Sequence, residues 1–124
     1  MGSWQQQISF LYVSNLARSH AFYAGLLGFR QVVDQGDCRI YHTVGGAYFG
    51  LCERPELVAA PGPFLFTLVT DAVEDEVARL AEQGVCIEHP VQANPTYRIT
   101  QAFVLDPDGY RVEIQRFDDP NWFS

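Results

Sequence analysis

Three histidines, three cysteines and fifteen carboxylates are the side chains of this sequence with the widest chemical reach. His20, His42 and His89 could each ligate a metal or move a proton near neutral pH. Histidine metal sites often set two rings on one face of one element, at HxH or HxxxH spacing. No two histidines here have that spacing, so each is read as packed or solvent-facing. An arrangement of His42 with Glu113 is conceivable, but no local motif supports it. Cys38, Cys52 and Cys86 are odd in number and contain no CxxC pair. They are expected to be reduced, buried thiols of a cytoplasmic protein.

The elements that would position these groups occur twice. Ile8–Val13 aligns with Phe64–Val69 at an offset of 56 positions, without a gap. Ser14-Asn15 then falls on Thr70-Asp71, and Gly28-Phe29 on Gly84-Val85. The apolar, β-branched and aromatic opening of each copy predicts a largely buried strand. Asn15 and Asp71 are candidate N-caps, whose side-chain oxygens accept from free helix N–H groups. Val73, Val77, Leu80 and Ala81 share one face of the second helix, opposite Glu74, Asp75, Glu76, Arg79 and Glu82. Gly28 and Gly84 supply the left-handed residue that closes a helix.

Three strands are expected after each helix: Phe29–Asp34, Arg39–Thr43 and Ala47–Glu53 in the first copy, then Val85–Glu88, Gln101–Leu105 and Tyr110–Arg116. Val44-Gly45-Gly46 and Asp106-Pro107-Asp108-Gly109 have hairpin-turn chemistry. The fold class is therefore α+β, with two tandem βαβββ modules forming a cupped, mostly antiparallel sheet around a cleft. One domain spans 1–124: module one at about 8–53, a proline-containing linker at 54–63, and module two at about 64–117. Val91–Ile99 is expected to be an irregular loop, whose Tyr97 and Arg98 could meet a ligand at the rim. Trp122 and Phe123 are expected to fold over a cleft or a subunit interface.

With 48% hydrophobic residues the chain can bury a core without disulfides or metal. A net charge of −7 carries no basic footprint for nucleic acid. The apolar runs are too short for a membrane span. No charged stretch leads into an apolar segment at the start, so a secretory signal is not expected.

Val13-Ser14-Asn15-Leu16, Ser19, Phe22-Tyr23 and Leu27-Gly28-Phe29 resemble the opening signature of the glyoxalase/bleomycin resistance protein/extradiol dioxygenase superfamily, also called vicinal oxygen chelate. Asp106-Pro107-Asp108-Gly109-Tyr110-Arg111-Val112-Glu113 resembles its closing signature. The likeness covers about Ile8 to Phe117. It implies a cleft in which metalloenzyme members place one ligand on the first and last strand of each module. Metal-free members bind drugs, and small members usually form homodimers.

Carried onto this chain, the four ligand positions are Ile8, Gly50, Phe64 and Glu113. Three of these side chains cannot coordinate, and one carboxylate is too few for a catalytic metal. The resemblance thus implies a metal-free, cofactor-free protein that binds a hydrophobic or aromatic small molecule, possessing the character of a drug-sequestering member. Tyr12, His42 and Tyr48 join the expected binding set, with Ile8, Gly50, Phe64, Tyr97, Arg98 and Trp122. Phe10 and Phe66 share the ligand positions' strand parity, which would aim them at the cleft. The alternative is an enzyme (lyase, isomerase or dioxygenase) with an atypical metal site or with Glu113 as general base. A bland role for Glu113, paired with Arg98 or Arg111, competes with both.

Overall fold

The computed structural model describes residues 2–121, so Trp122 and Phe123 lie outside the described residues. The chain divides between Ala59 and Ala60 into two compact units, each holding one module. Module one contains β1 (Gln7–Val13), α1 (Leu16–His20) running on into a π-helical turn (Ala21–Leu26), β2 (Arg30–Asp34), β3 (Cys38–His42) and β4 (Ala47–Glu53). Module two contains β5 (Leu65–Val69), α2 (Val73–Glu82), β6 (Cys86–Asn94), β7 (Ile99–Leu105) and β8 (Arg111–Phe117). The strand orders are β1-β4-β3-β2 and β5-β8-β7-β6. In each sheet the first and last strands pair parallel and the other pairs are antiparallel. This is the α+β, twofold βαβββ architecture expected from the repeat.

Alternation along the strands sorts core from open face. In module two, Val112 and Ile114 on β8 and Ala102 and Val104 on β7 are buried. So are Val73, Val77 and Leu80 of α2, which packs against β6, β7 and β8. Burying each such aliphatic side chain stabilises by roughly 1.5–3 kcal/mol. Ala81, expected on the same stripe, is exposed. In module one Leu11, Val13, Phe49 and Leu51 are buried, as are Leu16, Phe22 and Tyr23 of the helix. The Tyr23 ring lies 5.2 Å from that of Phe49 and 6.3 Å from that of Phe29.

The caps differ between the copies. Asn15 Oδ1 accepts from the Arg18 amide at 2.9 Å, as a helix N-cap does. Asp71 does not cap α2. The cap position falls on Ala72, which makes no side-chain bond to the helix, and the first turn is served by Glu74, Asp75 and Glu76 beside the positive helix end. Gly28 (φ 82°) and Gly84 (φ 85°) both take the left-handed conformation.

These boundaries show that the gapless repeat is one residue out of step along the opening strands. The helices begin at Leu16 and Val73, an offset of 57, yet end at Gly28 and Gly84, an offset of 56. The π-helical turn of module one absorbs the difference. There Leu27 N–H donates to Phe22 O, five residues back, at 3.0 Å, which accommodates one more residue than α2 has.

Two further expectations are corrected. The segment 91–99 is not an irregular loop: β6 continues to Asn94, leaving only a short turn before β7. Pro90 is accommodated because β6 is an edge strand with irregular register around His89. Nor are the cysteines reduced and buried. Cys38 and Cys52 stand directly opposite on β3 and β4, Cα–Cα 4.1 Å, joined by a disulfide, and Cys86 is exposed. Two cysteines 14 residues apart reveal no pairing until the hairpin register sets them face to face.

Candidate ligand-binding face of the second module

Glu113 is the chemical centre of module two. It lies on β8, on the sheet face opposite α2, and is only 6% exposed. A carboxylate so placed must be satisfied by donors. Thr67, its direct register partner on β5, donates its hydroxyl to Oε1 at 2.8 Å. Gln101 on β7 donates from Nε2 to Oε2 at 2.5 Å. Asn94, near the end of β6, donates from Nδ2 to Gln101 Oε1 at 2.7 Å. Four strands thus contribute one side chain each to a single chain of bonds. The Gln101 amide is oriented from both sides, by an acceptor at one end and a donor at the other.

Neither arginine weighed as a partner of Glu113 reaches it. Arg98 has φ 55° and pairs with Asp119 at 3.5 Å. Arg111 shares the Glu113 face of β8 but donates from Nε to Glu88 at 2.7 Å.

Among the described residues of module two, His89 and Phe103 line two neighbouring pockets. One, of about 330 Å³, also meets Gln92, Asn94, Pro95 and Gln101. The other, of about 370 Å³, is lined by Pro63, Phe64, Leu65, Phe103, Glu88 and Arg111 among others. Both volumes suit a small organic molecule. The His89 and Phe103 rings meet edge to face, with centroids 5.6 Å apart.

In module one, Ile8, Tyr12, Tyr48, His42 and Gly50 lie on or beside the face away from α1. Ile8 pairs with Tyr48, Tyr12 with Cys52, and His42 with Tyr48. His42 Nε2 is 2.6 Å from the carbonyl of Gly45, and its ring meets Tyr48 at 5.5 Å. His42 and Glu113 belong to different units. His20 Nδ1 is 2.7 Å from the hydroxyl of fully buried Tyr41. That burial raises the Tyr41 pKa, against an opposing bond and charge from Arg39. Gly50 is covered: its register partner Phe10 lays its ring where any side chain at position 50 would project. Tyr97 is 72% exposed in the β6–β7 turn and lines neither pocket.

The one-residue slip alters the ligand set carried over by resemblance. Phe10 pairs with Gly50 as Thr67 pairs with Glu113, so the module-two counterpart of Ile8 is Leu65, not Phe64. Phe64 precedes β5, where it meets the Tyr110 ring and lines a pocket. Phe66 turns to the opposite face, in register with buried Val112, instead of the Glu113 face. The corrected set is Ile8, Gly50, Leu65 and Glu113. Two hydrocarbon side chains, a glycine under a phenyl ring and one carboxylate with both oxygens engaged do not fit a divalent ion. Among the described residues no other group of three or more His, Cys, Asp or Glu side chains could hold one.

Sequence reasoning passed over Thr67, Gln101, Phe103 and Leu65. The available signal was polar punctuation: Thr67 interrupts an apolar strand, and Gln101 follows Thr100 at the start of β7, both at positions that share a face with Glu113.

Comparison with known proteins follows the same lines. The profile of the Glyoxalase/Bleomycin resistance protein/Dioxygenase superfamily matches residues 5–114. A glyoxalase/bleomycin resistance protein/dioxygenase from Alicyclobacillus acidocaldarius superposes with TM-score 0.77 at 12% identity, over 96% of both chains. TioX from Micromonospora sp. ML1 gives 0.74 at 20% identity, over 90% of this chain and 98% of that one. A lactoylglutathione lyase from Agrobacterium tumefaciens gives 0.75 at 20% identity, over 99% and 98%. No curated protein sequence matches the chain significantly.

Proposed function

Given that the chain belongs to the glyoxalase/bleomycin resistance protein/dioxygenase superfamily, we propose that it is a metal-free small-molecule-binding protein, of the kind that sequesters its ligand. One observation carries this reading: the carboxylate at the family's closing ligand position is clamped by Thr67 and Gln101. Its counterpart in module one, Gly50, lies under Phe10. Positions that would present metal donors present packing and hydrogen bonds instead. A sequestering protein needs only a complementary pocket, and aromatic and amide side chains line those of module two. Homodimerisation accompanies this reading, as among the family's small members, and sedimentation equilibrium tests it.

The experiment is elemental analysis after incubation with nickel, zinc, manganese and ferrous iron and then desalting, followed by a thermal-shift screen of aromatic compounds. No retained metal together with stabilising aromatic ligands is expected. About one tightly held ion per chain would overturn the reading, because it would require at least three donors.

A second reading has its own observation. Glu113 is buried and held in one orientation, as a general base must be. Turnover of a ligand found in the screen, abolished by Glu113→Gln with binding retained, would make the protein an enzyme of the acid–base class.

A further inference from the structure

Resting on the small-molecule reading above, we infer that module two carries a site for a flat, apolar molecule bearing a carboxylate-type anion, and that Arg111 recognises the anion. The pocket beside Arg111 has largely hydrocarbon walls: Pro63, Phe64, Leu65 and the Phe103 ring. Arg111 and Glu88 stand among them as one oriented ion pair.

The geometry of that pair is what points to an anion. Glu88 takes only the Nε proton of Arg111, at 2.7 Å. Among the described residues no acceptor is paired with the two terminal nitrogens. A guanidinium held by its Nε edge keeps its Nη donors for a second, planar acceptor, which a carboxylate matches. The arginine side chain is 39% exposed, so a ligand can reach it, while Glu88 at 24% is the more enclosed member. Glu88 is therefore placed to fix the guanidinium.

The neighbouring charges agree. Glu113 is the other acid on this face of β8, and both its oxygens already accept hydrogen bonds. His89, at 3.7 Å from Glu88, adds a group that is neutral or positive. The chain as a whole carries −7, so an anion is admitted only where a cation is specifically presented. An amine would meet the Arg111 guanidinium, with Glu113 bonded through both oxygens and the charge of Glu88 already paired with Arg111 through Oε1.

The probes are 2-naphthoate, neutral 2-naphthamide and cationic 2-naphthylmethylamine, titrated by calorimetry into the whole chain. Naphthoate should bind about tenfold or more tightly than naphthamide, the scale of one charge-assisted bond. The amine should bind weakest. Arg111→Met should abolish the preference for naphthoate and leave naphthamide affinity within about twofold, since Met retains an apolar stem. If that variant does not fold, the Arg111 Nη–Hη NMR signals of the wild type give the answer, because these donors should move downfield with naphthoate and not with naphthamide. Equal binding of all three probes, or a naphthoate preference that survives in Arg111→Met, overturns the anion site and leaves the small-molecule reading standing. Binding of none of them removes that reading and this inference with it.

Discussion

Replacing Gln101 by Met tests the Glu113 clamp most directly. Met keeps the length and flexibility of the side chain but deletes the amide. It removes a donor from a buried carboxylate, and hydrogen bonds to charged groups contribute about 1.5–3 kcal/mol net. It also strands Asn94 Nδ2, which is only half-buried and can turn towards water. The expected loss is about 2–3 kcal/mol, near the top of that range. Glu113→Gln should cost about 1–2 kcal/mol, because its new NH₂ must face one of the two existing donors. Both substitutions remove the same charge-assisted bond, which Gln at position 113 replaces at best by a neutral one, so the double variant should cost less than their sum by about 1 kcal/mol. Urea unfolding at pH 7 reads this as midpoint shifts at constant slope. Thermal melts should fall by roughly 4 °C for each kcal/mol. Thr67→Val serves as a control. It should cost only about 1 kcal/mol, since Thr67 is exposed and water can replace its hydroxyl. Additivity of Gln101→Met and Glu113→Gln within about 0.5 kcal/mol would refute the clamp, showing that amide and carboxylate do not meet in solution.

Three other expectations follow from the same geometry. Gly50→Ala should destabilise by about 1–3 kcal/mol, since its new methyl meets the Phe10 ring, and most of this should vanish in a Phe10→Ala background. Thiol counting on the native oxidised protein should find Cys86 alone free, and Cys38→Ser/Cys52→Ser should lose about 3 kcal/mol against urea, the scale for a loop of this length. The Asp118 carboxyl is held below its ordinary value, first by the Thr100 hydroxyl and then by Arg116. Its folded pKa is thus the lower one, so its contribution is complete above the unfolded value of 3.8 and is lost as pH falls through the folded value. The stability gap between wild type and Thr100→Val should be full well above pH 3.8 and narrow as pH falls below it; a gap that does not change with pH would contradict this.

Much of the architecture was legible in the chain. Apolar strand openings, a 3.6-residue stripe on α2 and glycines at positive φ are local signals, and local energetics suffice to set the elements and their order. The closing Asp-Pro-Asp-Gly turn likewise placed Glu113 on a strand, because Asp106 Oδ1 accepts from the Asp108 and Tyr110 amides whatever the rest of the fold does. The repeat itself was visible through its two glycines.

Tertiary structure decided the register and everything that depends on it. A π-helical turn hides one extra residue inside a helix whose ends look regular, and a one-residue slip exchanges the two faces of a strand. That slip put Phe64 where Leu65 stands and aimed Phe66 the wrong way. The bonded network around Glu113 draws on three other strands, and no sequence pattern joins Thr67, Gln101 and Asn94. The disulfide has the same origin, since Cys38 and Cys52 become neighbours only through the β3–β4 ladder. Local propensity specifies which residues form a strand; which side chains then meet across it depends on pairings between distant segments, and there the buried carboxylate found its donors.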